Sequence, residues 1–193
     1  MTKQLFFCPI DLEIQNFELP TIHQNKEWMW WSSEYLTEEI AKSSSSPLRK
    51  DLDPSYQPIF NIINQLPLVE FDMVRFSRQM KQISPHCDIY KSQVSEDAFN
   101  HYCDTEPSGY RVVLKGSTSA LKVFANGSWH RPILPKFPMC YIINTTKCIH
   151  SVDDDPDRIT LYVRGKIDKE KHLELLDKSL EKYGDLAIWN ETT

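Results

Sequence analysis

Short runs of alternating apolar and polar residues fill the second half of the chain. LVEFDMVRFSRQM begins at residue 68, and YRVVLKG, ALKVFANG, PMCYIIN and RITLYVRG follow it, each bounded by Gly, Pro, Asn or Asp. Period-two alternation of β-branched and aromatic residues is typical of strands. The gaps between the runs are too short and too polar for the helical crossovers of a parallel sheet. The pattern therefore predicts a mainly β protein, built as a sandwich or a barrel.

Apolar residues with the spacing of a helix occur before and after these strand-like runs. After an opening strand, LFFCPIDLEIQ, the runs NKEWMWWSSEYLTEEIAK (25–42) and YQPIFNIINQL (56–66) predict helices, with a polar loop at 43–55 between them. DKEKHLELLDKSLEKYGD predicts a C-terminal helix that stops at Gly184. The apolar positions expected to face the core are Trp28, Trp31, Tyr35, Leu36 and Ile40 in the first helix, and Leu173, Leu176, Leu180 and Tyr183 in the last.

We expect a single domain over residues 1–193. Residues 1–66 would form an N-terminal strand and helices, residues 67–166 the β core, and residues 167–184 the C-terminal helix. A chain of 193 residues with 40% hydrophobic residues is long enough to bury a core.

Composition narrows the classes of partner. The net charge is −5 at pH 7 and Lys and Arg form no dense cluster, so we expect no nucleic-acid partner. No segment approaches the roughly 18 apolar residues that a membrane-spanning helix needs, so we expect no membrane association. The five cysteines are an odd number, and MTKQLFFCPIDLE does not resemble a secretory signal. Free thiols and a cytoplasmic location are the expectation.

The stretch SPHCDIY carries the first candidate chemistry. In a strand, side chains at positions i and i+2 point to the same side, so His86 and Asp88 can approach one point in space. Pro85 favours extended backbone before it. An imidazole and a carboxylate are two members of the 2-His-1-carboxylate triad that binds Fe(II) on one face. One His-x-Asp pair is a weak signal by itself, because surface turns often contain it.

A second histidine and an arginine follow in an informative order. His150 comes after the strand-like run MCYIINTTKCI, and Arg158 begins RITLYV. With RFSRQMKQISPHCD, YRVVLKG and KVFANGSW, these segments resemble the 2-oxoglutarate- and Fe(II)-dependent oxygenases. The branch they are most similar to contains the aspartyl/asparaginyl β-hydroxylases, together with bacterial proline hydroxylases and phage members. The resemblance covers about residues 74–166.

The resemblance implies a double-stranded β-helix (a jelly roll, as in cupins) with flanking N-terminal and C-terminal α-helices. His86, Asp88 and His150 would bind Fe(II), and Arg158 would hold the distal carboxylate of the cosubstrate 2-oxoglutarate. Ser77 matches a serine that binds the same carboxylate, and Arg164 is a weaker alternative to Arg158. The reaction would consume O2 and 2-oxoglutarate, release succinate and carbon dioxide, and hydroxylate an unreactive C–H bond.

The substrate implied by this branch is an amino acid, either free or within a peptide. Arg111 matches an arginine near the cosubstrate or the substrate acid, but Val113 stands where the β-hydroxylases often carry histidine. Arg131 is a further candidate for a substrate carboxylate. Trp129 lies at a family-like position, where a packed aromatic is the simpler interpretation. The loops 91–109 and 128–138 would border a groove for a peptide.

Two alternatives stay open at this point. Cys140, Cys148 and His150, with Cys87 or His86, offer nitrogen and sulfur ligands for a zinc site, although their spacing lacks a C-x-x-C pair. The chain is also compatible with a jelly-roll binding or structural protein that has no working metal site.

Overall fold

Two antiparallel β-sheets make up most of the described chain. The computed structural model describes residues 2–19, 30–31, 56–79, 82–88, 109–116 and 119–192. In these ranges the strands are β1 (Thr2–Ile10), β2 (Trp30–Trp31), β3 (Leu68–Gln79), β4 (Ile83–His86), β5 (Tyr110–Lys115), β6 (Leu121–Ala125), β7 (Ser128–His130), β8 (Met139–Ile143), β9 (Ile149–Val152), β10 (Asp155–Ile167) and β11 (Ile188–Thr192). The helices are α1 (Gln57–Ile63) and α2 (Lys169–Tyr183), and a 3-10 turn spans Gly184–Leu186.

The strands divide into a larger and a smaller sheet. The larger sheet has the order β11-β1-β8-β5-β10-β3-β2, and the smaller sheet has the order β4-β9-β6-β7. Every pairing given for these strands is antiparallel. The prediction of a mainly β protein without a parallel sheet is confirmed.

The larger sheet is covered on both faces. Strand β8 is buried at all five positions, because one of its faces contacts the smaller sheet and the other contacts the helices. Strand β6 of the smaller sheet alternates between buried and partly exposed positions, as expected for a sheet with one face toward water. The inter-sheet core includes Phe7, Val113, Leu121, Val123, Met139, Tyr141, Ile143 and Val152, and the helix-side core includes Ile10, Ile59, Ile63, Val74, Phe76, Val112, Ile142 and Leu161.

Polar contacts fix α2 against the helix-side face. The carboxylate of Asp168 accepts a hydrogen bond from the Lys171 N–H, which caps the first turn of the helix. The hydroxyl of Ser179 accepts the Asp11 N–H at 3.0 Å and donates to the Leu175 carbonyl at 2.6 Å. His172 is buried, and its Nδ1 is hydrogen-bonded to the Tyr110 hydroxyl at 2.5 Å. No described helix is long and apolar enough to cross a bilayer.

These contacts change which residues of α2 face the core. The helix ends at Gly184 as predicted, and Leu176, Leu180 and Tyr183 pack inward. The prediction that Leu173 is buried is wrong, because 47% of this residue is exposed. The buried face of α2 is shifted by one residue, so that it includes His172 and Ser179. Both have hydrogen-bond partners that hydrophobic spacing alone does not reveal.

Of the elements predicted for the N-terminal region, some are confirmed and one is wrong. Strand β1 and helix α1 are confirmed, and β1 pairs with β8, so the N-terminal strand belongs to the larger sheet. The helix predicted over 25–42 is wrong at Trp30–Trp31, which pair as a strand with β3. Bulky aromatic residues suit a strand that has an available neighbour. The other residues of that predicted helix, the whole loop at 43–55 and residues 91–108 lie outside the described ranges.

Candidate metal centre

Three side chains from the smaller sheet converge as the sequence predicts. His86 ends β4 and lies directly opposite His150 of β9 in the antiparallel register. The two imidazole rings are 4.4 Å apart between centroids, and His86 Nε2 is 3.4 Å from Asp88 Oδ1. One potential ligand atom from each of the three residues lies within 4.8 Å of the others. Two nitrogens and one oxygen at this spacing match the donors of a 2-His-1-carboxylate site.

Backbone contacts bring Asp88 to the two histidines. Asp88 follows β4, and its N–H donates to the Thr145 carbonyl at 2.8 Å. Thr145 belongs to the turn between β8 and β9, where the Asn144 carbonyl accepts the N–H groups of Lys147 and Cys148. The backbone of Asp88 is therefore held by the same turn that leads into His150.

The histidine tautomers favour metal binding. His86 Nδ1 is 2.8 Å from the Ser84 carbonyl oxygen, and His150 Nδ1 is 3.3 Å from the Cys148 carbonyl oxygen. A carbonyl oxygen can only accept, so in both rings Nδ1 carries the proton. Each Nε2 of a neutral ring then keeps a lone pair. A second ring nitrogen bonded to a carbonyl is the usual support of a metal-binding histidine.

Burial keeps His150 in the neutral form that a metal requires. Desolvation lowers the pKa of His150 to about 4, and this effect outweighs the nearby negative charge of Asp88, which raises it. The side chain of His86 is 39% exposed and that of Asp88 is 18% exposed. The cluster thus has a buried side at His150 and an accessible side at His86.

Arg158 supplies a buried positive charge in the inter-sheet space. It is only 5% exposed, and its Nη2 donates to the Tyr141 hydroxyl at 2.8 Å. Its Nε is buried and has no hydrogen-bond partner among the described residues. No carboxylate of the described residues forms an ion pair with Arg158. A buried guanidinium without a counter-charge costs several kcal/mol, which an anionic ligand would offset.

An irregular stretch of backbone positions Arg158. The pairing of β10 with β5 shifts register between Ile159 and Thr160, immediately after the arginine. Gly116 follows β5 with a φ of +84°, and a Cβ placed there would lie 2.7 Å from Arg158 Cα. Only glycine fits this close approach. Gly116 therefore lets the end of β5 pack directly on the backbone of Arg158.

Arg111 is a second cation on the same face of the larger sheet. It lies opposite Tyr141 on β8 and Tyr162 on β10, and its guanidinium carbon is 4.6 Å from the centroid of the Tyr162 ring. Its Nη1 is buried and finds no hydrogen-bond partner in the part of the chain that the structure describes. Its charge is one of the smaller influences that lower the pKa of His150, which indicates that Arg111 lies near the triad.

Two other predicted site residues, Ser77 and Arg164, lie on strands of the larger sheet. Ser77 lies on β3 in register with Thr160, two residues beyond Arg158, and its side chain is outside the described atoms. Arg164 lies further along β10, opposite Met73.

The structure does not bring Arg131 or Trp129 to the triad. Arg131 is tied to the Asp153 carboxylate at 3.0 Å and to the Ser119 carbonyl, and Asp153 also binds Lys122. Trp129 is 45% exposed and packs edge-on against Phe124. Phe124 pairs with Trp129 and Ile149, whereas its neighbour Val123 pairs with His150. Trp129 therefore lies on the face of the smaller sheet opposite to His150, because successive side chains alternate.

The cysteines form no metal cluster with His150 in the part of the chain that the structure describes. Cys140 packs in the helix-side core, while Cys148 packs in the inter-sheet core. The larger sheet separates these two cores, so the two thiols cannot share a zinc ion. Burial raises the pKa of Cys148 to about 12 and that of Cys140 further, which keeps both as thiols.

Sequence reasoning missed Tyr141, Thr145 and Gly116. Tyr141 lies within a fully apolar-looking strand, so its hydroxyl gave no signal. Gly116 directly follows a strand-like run, where a glycine indicates only the end of the strand. Thr145 acts through its carbonyl, which any residue would supply.

No protein-family model, no curated protein and no solved structure matches this chain.

Proposed function

We propose that this protein is an Fe(II)- and 2-oxoglutarate-dependent oxygenase that hydroxylates an unactivated C–H bond of an amino acid, free or within a peptide. The observation that carries the proposal is the cluster of His86, Asp88 and His150, with a buried Arg158 on the facing sheet that forms no ion pair with a described carboxylate. A metal-binding triad and a buried carboxylate receptor are the two parts that such a reaction requires.

The strand pairing supports a jelly-roll core. A jelly roll results when a long antiparallel hairpin of eight strands wraps around a barrel, so the first strand pairs with the last, the second with the seventh, and so on. If β3–β10 are counted as the eight core strands, these pairs are β3 with β10, β4 with β9, β5 with β8 and β6 with β7. All four pairs of the hairpin are present.

The chemistry of the donor set fits Fe(II). Two neutral imidazoles and one carboxylate bind this metal on one face and leave the remaining positions open for ligands. When bound, Fe(II) supplies activation of dioxygen: one oxygen atom enters the substrate C–H bond as hydroxyl, and the other enters succinate as 2-oxoglutarate loses carbon dioxide. The residues of this chain hold the metal and bind the acids.

Arg158 is the proposed receptor for the distal carboxylate of 2-oxoglutarate. A guanidinium binds a carboxylate through parallel N–H donors, and burial strengthens that pairing. Arg158 is only 5% exposed, so its charge is shielded from water. Arg111, with its unpaired Nη1, is the proposed contact for a second acidic group, of the cosubstrate or of the substrate.

Formation of succinate from 2-oxoglutarate tests the proposal. Purified protein with Fe(II), ascorbate and a panel of amino acids and short peptides should convert 2-oxoglutarate to succinate. Asp88→Ala should abolish turnover and Fe(II) binding while leaving the unfolding transition in place. Asp177→Ala, which changes an exposed carboxylate on α2, is the matched control and should behave as the unaltered protein.

Arg158→Ala separates the two halves of the site. It should raise the 2-oxoglutarate concentration needed for half-maximal turnover by at least about tenfold, since a charged hydrogen-bonded pair is lost. Fe(II) should still bind, because the ligands lie on the other sheet. If the protein neither binds Fe(II) nor forms succinate, the oxygenase proposal is wrong. Metal binding without any turnover would instead favour a non-catalytic jelly-roll protein.

The cytoplasmic location stays a prediction.

A further inference from the structure

An asparagine in the turn between β6 and β7 ties the smaller sheet to β11. The Asn126 carboxamide bonds to two backbone groups of this strand: its Nδ2 donates to the Trp189 carbonyl at 2.9 Å, and its Oδ1 accepts the Glu191 N–H at 2.8 Å. In return, Asn190 Oδ1 accepts the Asn126 N–H at 3.0 Å. Because β6 and β7 belong to the smaller sheet and β11 belongs to the larger one, these bonds, which we call the Asn126 clasp, join the two sheets.

The Asn126 clasp covers the edge of β11 that does not pair with β1. Strand β11 is the last strand of the larger sheet in the described chain, and it pairs with β1 along its other edge. Backbone groups of residues two apart point to the same edge of a strand, and the Trp189 carbonyl and the Glu191 N–H are both bonded to Asn126. The carboxamide thus supplies the donor and the acceptor that a residue of a neighbouring strand would supply. Only the amide form can make both bonds, because a carboxylate has no N–H to donate.

The turn itself explains why asparagine and glycine stand here. Asn126 and Gly127 are the two residues between β6 and β7, and their φ angles are +49° and +77°. A type I′ hairpin turn requires positive φ at both central residues, and Asn-Gly is its preferred pair. Both residues are exposed, and a Cβ added to Gly127 meets no described atom within 4 Å. The peptide after Asn126 is therefore open to solvent, and no side chain of its own obstructs an approach to its nitrogen.

We propose that Asn126 is a site of spontaneous deamidation, which is slow while the Asn126 clasp is closed, and that the modification frees β11 from the smaller sheet permanently. In this reaction the Gly127 backbone nitrogen forms a bond to Asn126 Cγ, and the bond from Cγ to Nδ2 breaks. Ammonia leaves with the proton that the Gly127 nitrogen gives up. Water then opens the cyclic imide to aspartate or isoaspartate. Water is the only co-reactant, and no group is oxidised or reduced.

The closed clasp slows the reaction because it holds both ends of the carboxamide. Any rotation of Asn126 Cγ toward the Gly127 nitrogen must first break the bonds to β11. The product cannot close the clasp again: one carboxylate oxygen can accept the Glu191 N–H, but the other faces the Trp189 carbonyl, and two acceptors repel. In isoaspartate the main chain is also longer by one carbon, which a two-residue turn does not accommodate. Release of β11 therefore permits the modification, and the modification prevents the return of β11.

The rate of conversion at Asn126 tests the protection. The full chain is incubated in mildly alkaline buffer, both folded and in concentrated urea, and peptide mass spectrometry follows the change from amide to acid. The folded protein should react at least about tenfold more slowly than the chain in urea, since two hydrogen bonds must open first. Asn190→Ala removes one bond of the clasp and keeps the Asn-Gly pair, so it should react faster than the folded unaltered protein. In urea, Gly127→Ala should react more slowly than the unaltered chain, because its methyl group obstructs the nitrogen.

Three results would overturn the inference at this step. They are no conversion of Asn126 in urea, equal rates in the folded and unfolded protein, and no acceleration in Asn190→Ala.

Asn126→Asp tests the release of β11. This variant has the side chain of the product and should raise hydrogen exchange at the backbone amides of β11 by about tenfold or more, since one bond of the clasp is lost and two acceptors face each other. Asn16→Asp adds the same charge at another exposed asparagine and is the matched control, expected to leave the exchange of β11 unchanged. Unchanged exchange of β11 in Asn126→Asp, or an equal rise in both variants, would show that the modification does not free the strand.

Discussion

Replacement of Gly116 by alanine should damage the Arg158 site without touching the metal triad. Two effects add at this position. An L-residue with a φ of +84° is in the left-handed region, which costs about 1–2 kcal/mol. The new Cβ would also lie 2.7 Å from Arg158 Cα, 3.0 Å from its N and 3.1 Å from its Cβ. These are backbone atoms and the first side-chain carbon, so no flexible group can move aside.

The cost of the steric overlap between the new Cβ and Arg158 follows from the distances. To reach ordinary contact near 3.5 Å, the backbones at Gly116 and Arg158 must separate by about 0.8 Å. Strand β10 is paired with β3 on one side and with β5 on the other, so it cannot shift freely. Overpacking of this kind costs about 1–3 kcal/mol, which gives a total of about 2–5 kcal/mol for Gly116→Ala.

Gly127 offers a matched control for the backbone cost. Its φ is +77°, and a Cβ added there meets no atom within 4 Å. Gly127→Ala should therefore cost only about 1–2 kcal/mol, the price of the left-handed backbone alone. Urea unfolding of the metal-free proteins measures both values. 2-Oxoglutarate binding in the Mn(II) form should fall at least about tenfold for Gly116→Ala and remain unchanged for Gly127→Ala. Equal stability and equal affinity in the two variants would refute the reasoning.

Two further predictions concern the packing of α2. Burial lowers the pKa of His172 to about 4 from an unfolded value near 6.5, so stability present above pH 6.5 is lost as the pH falls toward 4. Between pH 7 and 5 the free energy of unfolding should fall by about 2 kcal/mol less in His172→Gln than in the unaltered protein. Urea unfolding at the two pH values measures this difference. If the pH dependence is unchanged in the variant, His150 and other groups cause it. Ser179→Ala leaves the Asp11 N–H without its acceptor and should cost about 1–2 kcal/mol in the same assay, while a cost near zero would mean that water replaces the hydroxyl.

Only part of the triad could be predicted from local geometry. His86 and Asp88 are two residues apart in extended backbone, which brings them together, whereas the choice of His150 comes from the resemblance to the oxygenases. Neither β4 nor β9 lies in a run whose alternation predicts a strand, and the pairing of these two strands brings the three residues together.

The surroundings of the site depend on pairings that no local pattern contains. Trp129 and His130 differ by one position, and only the register with β6 decides which of them shares a face with His150. The sequence predicts Arg131 as a possible substrate contact, but Asp153, distant in sequence, holds it at the surface. The contact of Tyr141 with Arg158 crosses a whole strand. Such contacts follow from the order of strands in a sheet, which short motifs do not encode.

The position of β1 has a consequence for how the chain assembles during synthesis. Its residues 2–10 lie between β8 (139–143) and β11 (188–192) in the larger sheet. The ribosome therefore releases β1 long before either neighbour exists, and its pairing cannot be complete until about 180 further residues have emerged, some ten or more seconds at cellular rates. Phe6, Phe7 and Ile10, buried in the finished protein, stay without their strand partners for that time. Folding is expected to be slow because the contacts of β1 with β8 and β11 are far apart in sequence.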